Sequence, residues 1–173
     1  MTPSPAPALH SPRLDFRPFE VSDAEELLAL FQDADVRRYL LDDQLVDGDW
    51  VAEEIEQSRL RFAEGSAGLW CIRATNDGAV VGFVGFRPFF DPPRLQLLYG
   101  FYPEYWGRGF ASESAEAACA LAFAELGFES VEAAIDTPNE ASGRVLDRLG
   151  FTIAGETDDG PDGTVVYRLE RPR

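Results

Sequence analysis

The strongest constraint in this sequence is a change of pattern near residue 102. Before it, three strand-like runs follow one another with almost nothing between them. LWCIRAT (69–75) meets the turn signal Asn76-Asp77-Gly78, and AVVGFVGFRPFF (79–90) follows. Asp91-Pro92-Pro93 then turns the chain into RLQLLYGFY (94–102). Turns this short allow only antiparallel neighbours, so the three runs predict a meander. After residue 102 a helix signal over 108–126, stopped by Gly127, separates the last run from the strand-like SVEAAID (130–136). Strand, helix and strand in that order make a parallel crossover. The chain is therefore expected to build one α/β fold around a mixed, mostly antiparallel sheet.

The flanks add further elements. RLDFRPF (13–19) alternates apolar and polar residues and predicts a strand. Ser22 is read as the cap of a helix over SDAEELLALFQD, and a second helix is expected over 49–63. The connector DVRRYLLDD has no firm assignment. NEASGRVLDRL (139–149) reads as a helix stopped by Gly150, and FTIAGET with TVVYRLER as a closing hairpin around DDGPDG. Gly82 and Gly85, inside a strand, mark bulges or close backbone approach. The total is about seven strands and about four helices.

A chain of 173 residues that is 45% hydrophobic suits one domain with a core that needs no staples. Residues 1–12, MTPSPAPALHSP, are expected to be a flexible tail and residues 13–173 the domain. The tail lacks a basic start followed by an apolar run, and no apolar stretch is long enough to cross a bilayer. A cytoplasmic monomer or homodimer is expected. Cys71 and Cys119 are the only two cysteines, and His10 is the only histidine. That excludes a disulfide framework, a His-based triad and a histidine-rich metal site. A net charge of −16 excludes a nucleic-acid partner and favours cationic ones, unless it serves only solubility.

The loop Trp106-Gly107-Arg108-Gly109-Phe110-Ala111 lies between the last meander strand and the long helix. Gly107 and Gly109 let backbone approach a phosphate closely, and a helix N-terminus offers unpaired N–H groups with partial positive charge. Arg108 adds a donor, or points to solvent, and Ser112 adds a hydroxyl. The loop is not a Walker sequence, because no Gly-Lys-Ser/Thr occurs, and it lacks the last glycine of the dinucleotide fingerprint. Two glycines before a helix are equally consistent with a tight turn.

The wider segment YPEYWGRGFASES (102–114) resembles motif A of the GNAT superfamily of N-acetyltransferases, with Trp106, Gly109 and Ala111 at its marked positions. Trp106 preceded by Pro103-Glu104-Tyr105 resembles the branch that acetylates ribosomal-protein N-termini, and SPRLDFRPFEVSDAEEL is similar to that branch's start. PNEASGRVLDRLGF (138–151) is similar to motif B. The resemblance spans about residues 11–171, with three motifs in the correct order.

The resemblance implies that strands four and five splay apart and that the pantetheine arm of acetyl-coenzyme A enters the gap. It implies cofactor contacts from the backbone of Phe101 and Tyr102, from loop residues 106–111, and from Ser112, Asn139 and Ser142. An N–H aimed at the acetyl carbonyl would stabilise the oxyanion. Ser142 is also the candidate proton donor to the departing thiolate. Leu146 stands where many relatives have a tyrosine acid, and Gln96 where many have a glutamate base. Glu104, Asp136 and the acids of the early helices are candidate bases, and none is assigned. Glu113 resembles a common family residue, although helix packing or capping explains it as well. Thr137-Pro138-Asn139-Glu140 reads as a capping box with Thr137 as cap, leaving Asn139 free. Cys119 sits among alanines and reads as core, so transfer to a primary amine, cationic by the charge argument, is expected to be direct. A non-catalytic acetyl-coenzyme A or amine-binding module is the alternative. A phosphotransferase is disfavoured because no lysine or metal-binding acids flank the loop.

Overall fold

The computed structural model describes residues 5–158, 160 and 162–173. Seven strands form one sheet: β1 (Asp15–Pro18), β2 (Leu69–Arg73), β3 (Val80–Phe89), β4 (Arg94–Phe101), β5 (Ser130–Asp136), β6 (Thr152–Thr157) and β7 (Thr164–Glu170). Their order is β1-β2-β3-β4-β5-β7-β6. Only β4 and β5 run parallel, which the crossover through the intervening helix requires. The mixed, mostly antiparallel sheet expected from the strand pattern is the sheet observed.

Five helices flank it: α1 (Ala24–Gln32), α2 (Ala34–Leu40), α3 (Gly48–Ala63), α4 (Phe110–Ala124) and α5 (Glu140–Arg148). The expected number was about four, and the addition is α2, within the unassigned connector. Its seven residues are too few to show a period, but Asp33 caps it, accepting from Asp35 N (3.0 Å) and Val36 N (3.1 Å). The start of α1 also differs. Ser22 is not its cap. Residues Val21–Asp23 form a 3-10 turn closed by a reciprocal Glu20 and Asp23 capping box.

β2 is buried along its whole length because both faces are covered, so it reads as a continuous apolar run. Trp70 and Ile72 face a core shared with α4 and α5, where Phe86, Leu97, Val131 and Leu146 also lie. Leu69 and Cys71 face a second core with Phe19, Leu27, Phe31, Val51 and Ile55. Ala115, Ala118 and Ala122 of α4 are fully buried, and their small side chains bring the helix close to the sheet. At Gly85, φ is 151° and a Cβ would collide with the Gly68 carbonyl, so this glycine marks close backbone approach.

The lead expected to be loose is docked where it is described. Leu9 is buried in the α4-side core, and the Trp70 indole donates to Pro7 O (3.3 Å). The first four residues of the expected tail lie outside the described part. Among the described residues no helix is long and apolar enough to cross a membrane.

Candidate active site

β4 and β5 meet at a single pair, Gln96 with Glu132, whereas β4 pairs with β3 over eight residues and β5 with β7 over seven. The two strands therefore part towards their C-terminal ends, as expected for strands four and five. Tyr102 N donates to Val81 O across the β3 ladder (3.1 Å). Backbone direction alternates along a strand, so the N–H groups of Tyr99 and Phe101 face β5, where the ladder has already ended. This corrects one expectation: the Tyr102 N–H is committed to β3 and is closed to a ligand. Phe101 keeps its N–H towards the gap, but its carbonyl accepts from the Trp106 indole (2.8 Å).

The gap opens into a slot of about 510 Å³. Of the residues expected to bind cofactor, Phe101, Trp106, Gly107, Gly109, Phe110, Ala111, Ser112, Asn139 and Ser142 line it. Tyr102 and Arg108 do not. Arg108 lies over the Tyr105 ring and lines a second cavity together with Arg13 and Glu104. Its side chain is exposed and does not line the slot.

The glycine loop ends at Gly109, which caps α4 in a left-handed conformation (φ 78°, ψ 9°). Side chains of Asp33, Asp47 and Asn139 cap α2, α3 and α5, whereas among the described residues no side chain caps α1, which continues from the 3-10 turn, or α4, which opens on the slot. Its first N–H groups are left for a ligand, and a Cβ at Gly107 would stand in open space beside them. Ser112 Oγ accepts from Arg148 Nη1 (3.3 Å), which links α4 to α5 across the mouth. Arg38, Arg144 and Arg148 line the slot against one acid, Asp35, in a chain of net charge −16. A cradle of this sign fits a polyanion.

Asn139, not Thr137, caps α5: its Oδ1 accepts from Ser142 N (3.2 Å). Thr137 donates instead to Gly163 O (3.2 Å), because its side chain is turned towards the loop before β7. Tyr99, missed in the sequence, reaches across the gap, and its hydroxyl donates to Ser142 O (3.4 Å). Burial pushes the Tyr99 hydroxyl up to about 12, so it stays protonated as a donor. Strand alternation in LQLLYGF was the only signal that β4 carried such a group on the α5 side.

The two departures from the family pattern are structural. Leu146 is fully buried in the core. Gln96 is 1% exposed, and its Nε2 donates to Glu132 Oε2 (3.0 Å) at the strand junction. Glu132 also holds Arg168 Nη2 (2.6 Å). Burial pushes the Glu132 carboxyl up. The hydrogen bonds from Arg168 and Gln96, with the Arg94 and Arg168 charges, outweigh it and hold the group below the usual carboxylate range. A lowered folded-state value contributes stability that is complete above the unfolded value of about 4.3 and is lost as pH falls through the folded value. Urea unfolding from pH 7 to 3 is therefore expected to show wild type losing its margin over Glu132→Gln only below about pH 4.5.

Asp136 ends β5 beyond the slot, and its Oδ1 and that of Asp42 converge on the Gly160 turn. Burial, then Asp42 and Asp162, raise its pKa. Cys119 is 4% exposed, and burial pushes its thiol up to about 12, which is wrong for a nucleophile. Among the described residues no His, Cys, Asp and Glu cluster could hold a metal.

The sequence profile of the acetyltransferase (GNAT) domain matches residues 13–152. The chain belongs to the GNAT acetyltransferase family. This GNAT acetyltransferase is 29% identical to the uncharacterized N-acetyltransferase YoaA of Bacillus subtilis, over 96% of this chain and 98% of that one. Its fold is shared with solved structures that include two ribosomal-protein acetyltransferases. RimL, a ribosomal L7/L12 alpha-N-protein acetyltransferase in complex with coenzyme A, has TM-score 0.77, identity 17%, and 92% and 95% of the two chains covered. An acetyltransferase from Salmonella typhimurium that modifies the N-terminal serine of ribosomal protein L7/L12 has TM-score 0.75, identity 21%, and coverage 92% and 96%. At such identities the likeness is one of fold.

Proposed function

We propose that this N-acetyltransferase moves an acetyl group from acetyl-coenzyme A directly to a primary amine, with the donor in the β4–β5 slot. The single pairing of β4 with β5 beside an uncapped helix N-terminus carries this reading. Pantetheine amides need backbone partners, which the gap-facing edges of β4 and β5 supply. A diphosphate needs converging N–H donors and positive charge, which the start of α4 and Arg148 supply. Acetyl-coenzyme A brings an acyl group activated as a thioester. The Phe101 N–H is the donor suited to an oxyanion at that carbonyl.

Tyr99 and Ser142 share the proton-donor role on this reading. The Tyr99 hydroxyl and the backbone of Ser142 are already in contact at the gap. Tyr99→Phe is expected to lower kcat about tenfold with little change in KM for acetyl-coenzyme A, and Ser142→Ala to act in the same sense. Steady-state kinetics of both variants and their double mutant check this. A rise in KM alone would assign Tyr99 to binding.

The acceptor is proposed to be cationic, an amine or a basic peptide N-terminus. The net charge, the Asp42 and Asp136 pair beyond the slot, and the shared fold with ribosomal-protein N-acetyltransferases support it. Radiolabelled acetyl transfer to a panel of amines and N-terminal peptides tests it. Preference for neutral or acidic acceptors would sink it. Coenzyme A binding without turnover on any acceptor would point to the non-catalytic module.

A further inference from the structure

Residues 5–12 precede the segment that matches the family, yet they end on the helix that opens the slot. Ser11 Oγ donates to Glu113 Oε1 of α4 (2.7 Å), and the Arg13 backbone N–H donates to the same oxygen (2.9 Å). Arg13 Nε donates to Glu113 Oε2 (2.6 Å). The guanidinium also lies over the Phe110 ring, and its Nη1 donates to the Arg108 carbonyl (3.0 Å).

Two consequences follow for the loop. Glu113 is an acid in the first turn of α4, where its charge opposes a bound diphosphate. Burial pushes its carboxyl up, but the Ser11 hydroxyl, the Arg13 backbone N–H and the paired Arg13 guanidinium outweigh it, offset that charge and hold the group below the usual range. A trans peptide is planar with its N–H opposed to its C=O. With the Arg108 carbonyl held by Arg13, on the side of the second cavity, the Gly109 N–H is turned towards the slot.

We infer that Ser11, Arg13 and Glu113 form a clamp that sets the diphosphate-binding geometry of residues 108–112, and that the lead is part of the donor site. They are positioning residues. The inference rests on the proposed acetyl-coenzyme A reading. Its test compares coenzyme A with pantetheine, which lacks the diphosphate and the nucleoside, by titration calorimetry and competition. Arg13→Ala and Glu113→Gln are expected to bind coenzyme A about tenfold more weakly and pantetheine unchanged. Arg13→Lys, which keeps the charge but not the fork, is expected to stay weakened. Should Arg13→Ala fail to fold, Ser11→Ala is the milder cut, with about a threefold loss specific to coenzyme A. Equal losses for both ligands, or none, would overturn the clamp. Wild-type protein that binds neither would overturn the donor reading, and the clamp with it.

Discussion

Gly109→Val is expected to weaken coenzyme A binding at least about a hundredfold while leaving the sheet folded. Gly109 holds φ at 78° as the cap of α4, a conformation that a β-branched residue adopts only at a cost well above the ~1–2 kcal/mol of an ordinary side chain. The chain relieves that cost by rotating the 108–109 and 109–110 peptides. Those rotations swing the N–H groups away from the slot and break the Arg13 bond to the Arg108 carbonyl. Gly107, Arg108 and Gly109 are exposed and belong to neither core, so the loss falls on the ligand. Among the described residues other than its chain neighbours, the one atom within 4 Å of an added Cβ at Gly109 is Arg13 Nη2, at 3.5 Å, and backbone conformation is therefore the cause. Calorimetric affinity for coenzyme A, with far-UV circular dichroism and Tm as controls, checks it. Binding within about threefold of wild type would show that the cradle is not here.

Glu132→Ala is expected to cost about 3 kcal/mol of unfolding free energy. Glu132 sits at the one pair that joins β4 to β5, with its side chain 10% exposed. Its carboxylate takes the Gln96 amide and the Arg168 guanidinium. Gln96 Oε1 and Arg168 Nε already lack partners among the described residues, so removing the carboxylate strands both side chains further. Arg168 is 42% exposed and recovers some hydration, which keeps the figure at the low end for a broken buried pair. Glu132→Gln keeps the shape and one acceptor, and about half the loss is expected. Urea unfolding at pH 7 should show a lower midpoint with an unchanged slope. Because the pair closes the narrow end of the gap, KM for acetyl-coenzyme A is expected to rise as well.

Much of the scaffold was legible because its signals are local. β5 occupies residues 130–136, the run read as a strand, where apolar and small residues surround Glu132 and the run stops at Asp136 before a turn. The meander followed from turn chemistry, and α4 from its alanine-rich run and its glycine stop. α2 was missed because seven residues show no period. The cap of α5 lies two residues beyond the expected Thr137, at Asn139, and it is a single bond and not a box. Thr137 and Asn139 are both able to cap, and the choice fell to the loop before β7, which engages Thr137.

The site divides along the same line. Gly107 and Gly109 announced themselves by spacing, because phosphate approach is a local demand on the backbone, whereas Trp106 and Asn139 entered only through the family resemblance. Tyr99, Arg13 and Arg148 did neither, because their partners lie 43, 100 and 36 residues away. Tyr102 and Arg108 belong to the right segment but face other ways, which only strand register and loop direction decide.

The sequence alone therefore determined the order of strands and helices, the parallel crossover and the glycine loop at its hinge, each set by turn chemistry and side-chain period. Tertiary structure decided that β4 and β5 meet only once, which N–H groups face the gap, and that the lead grips α4. Those outcomes depend on directions in space between distant segments, and linear spacing does not encode direction.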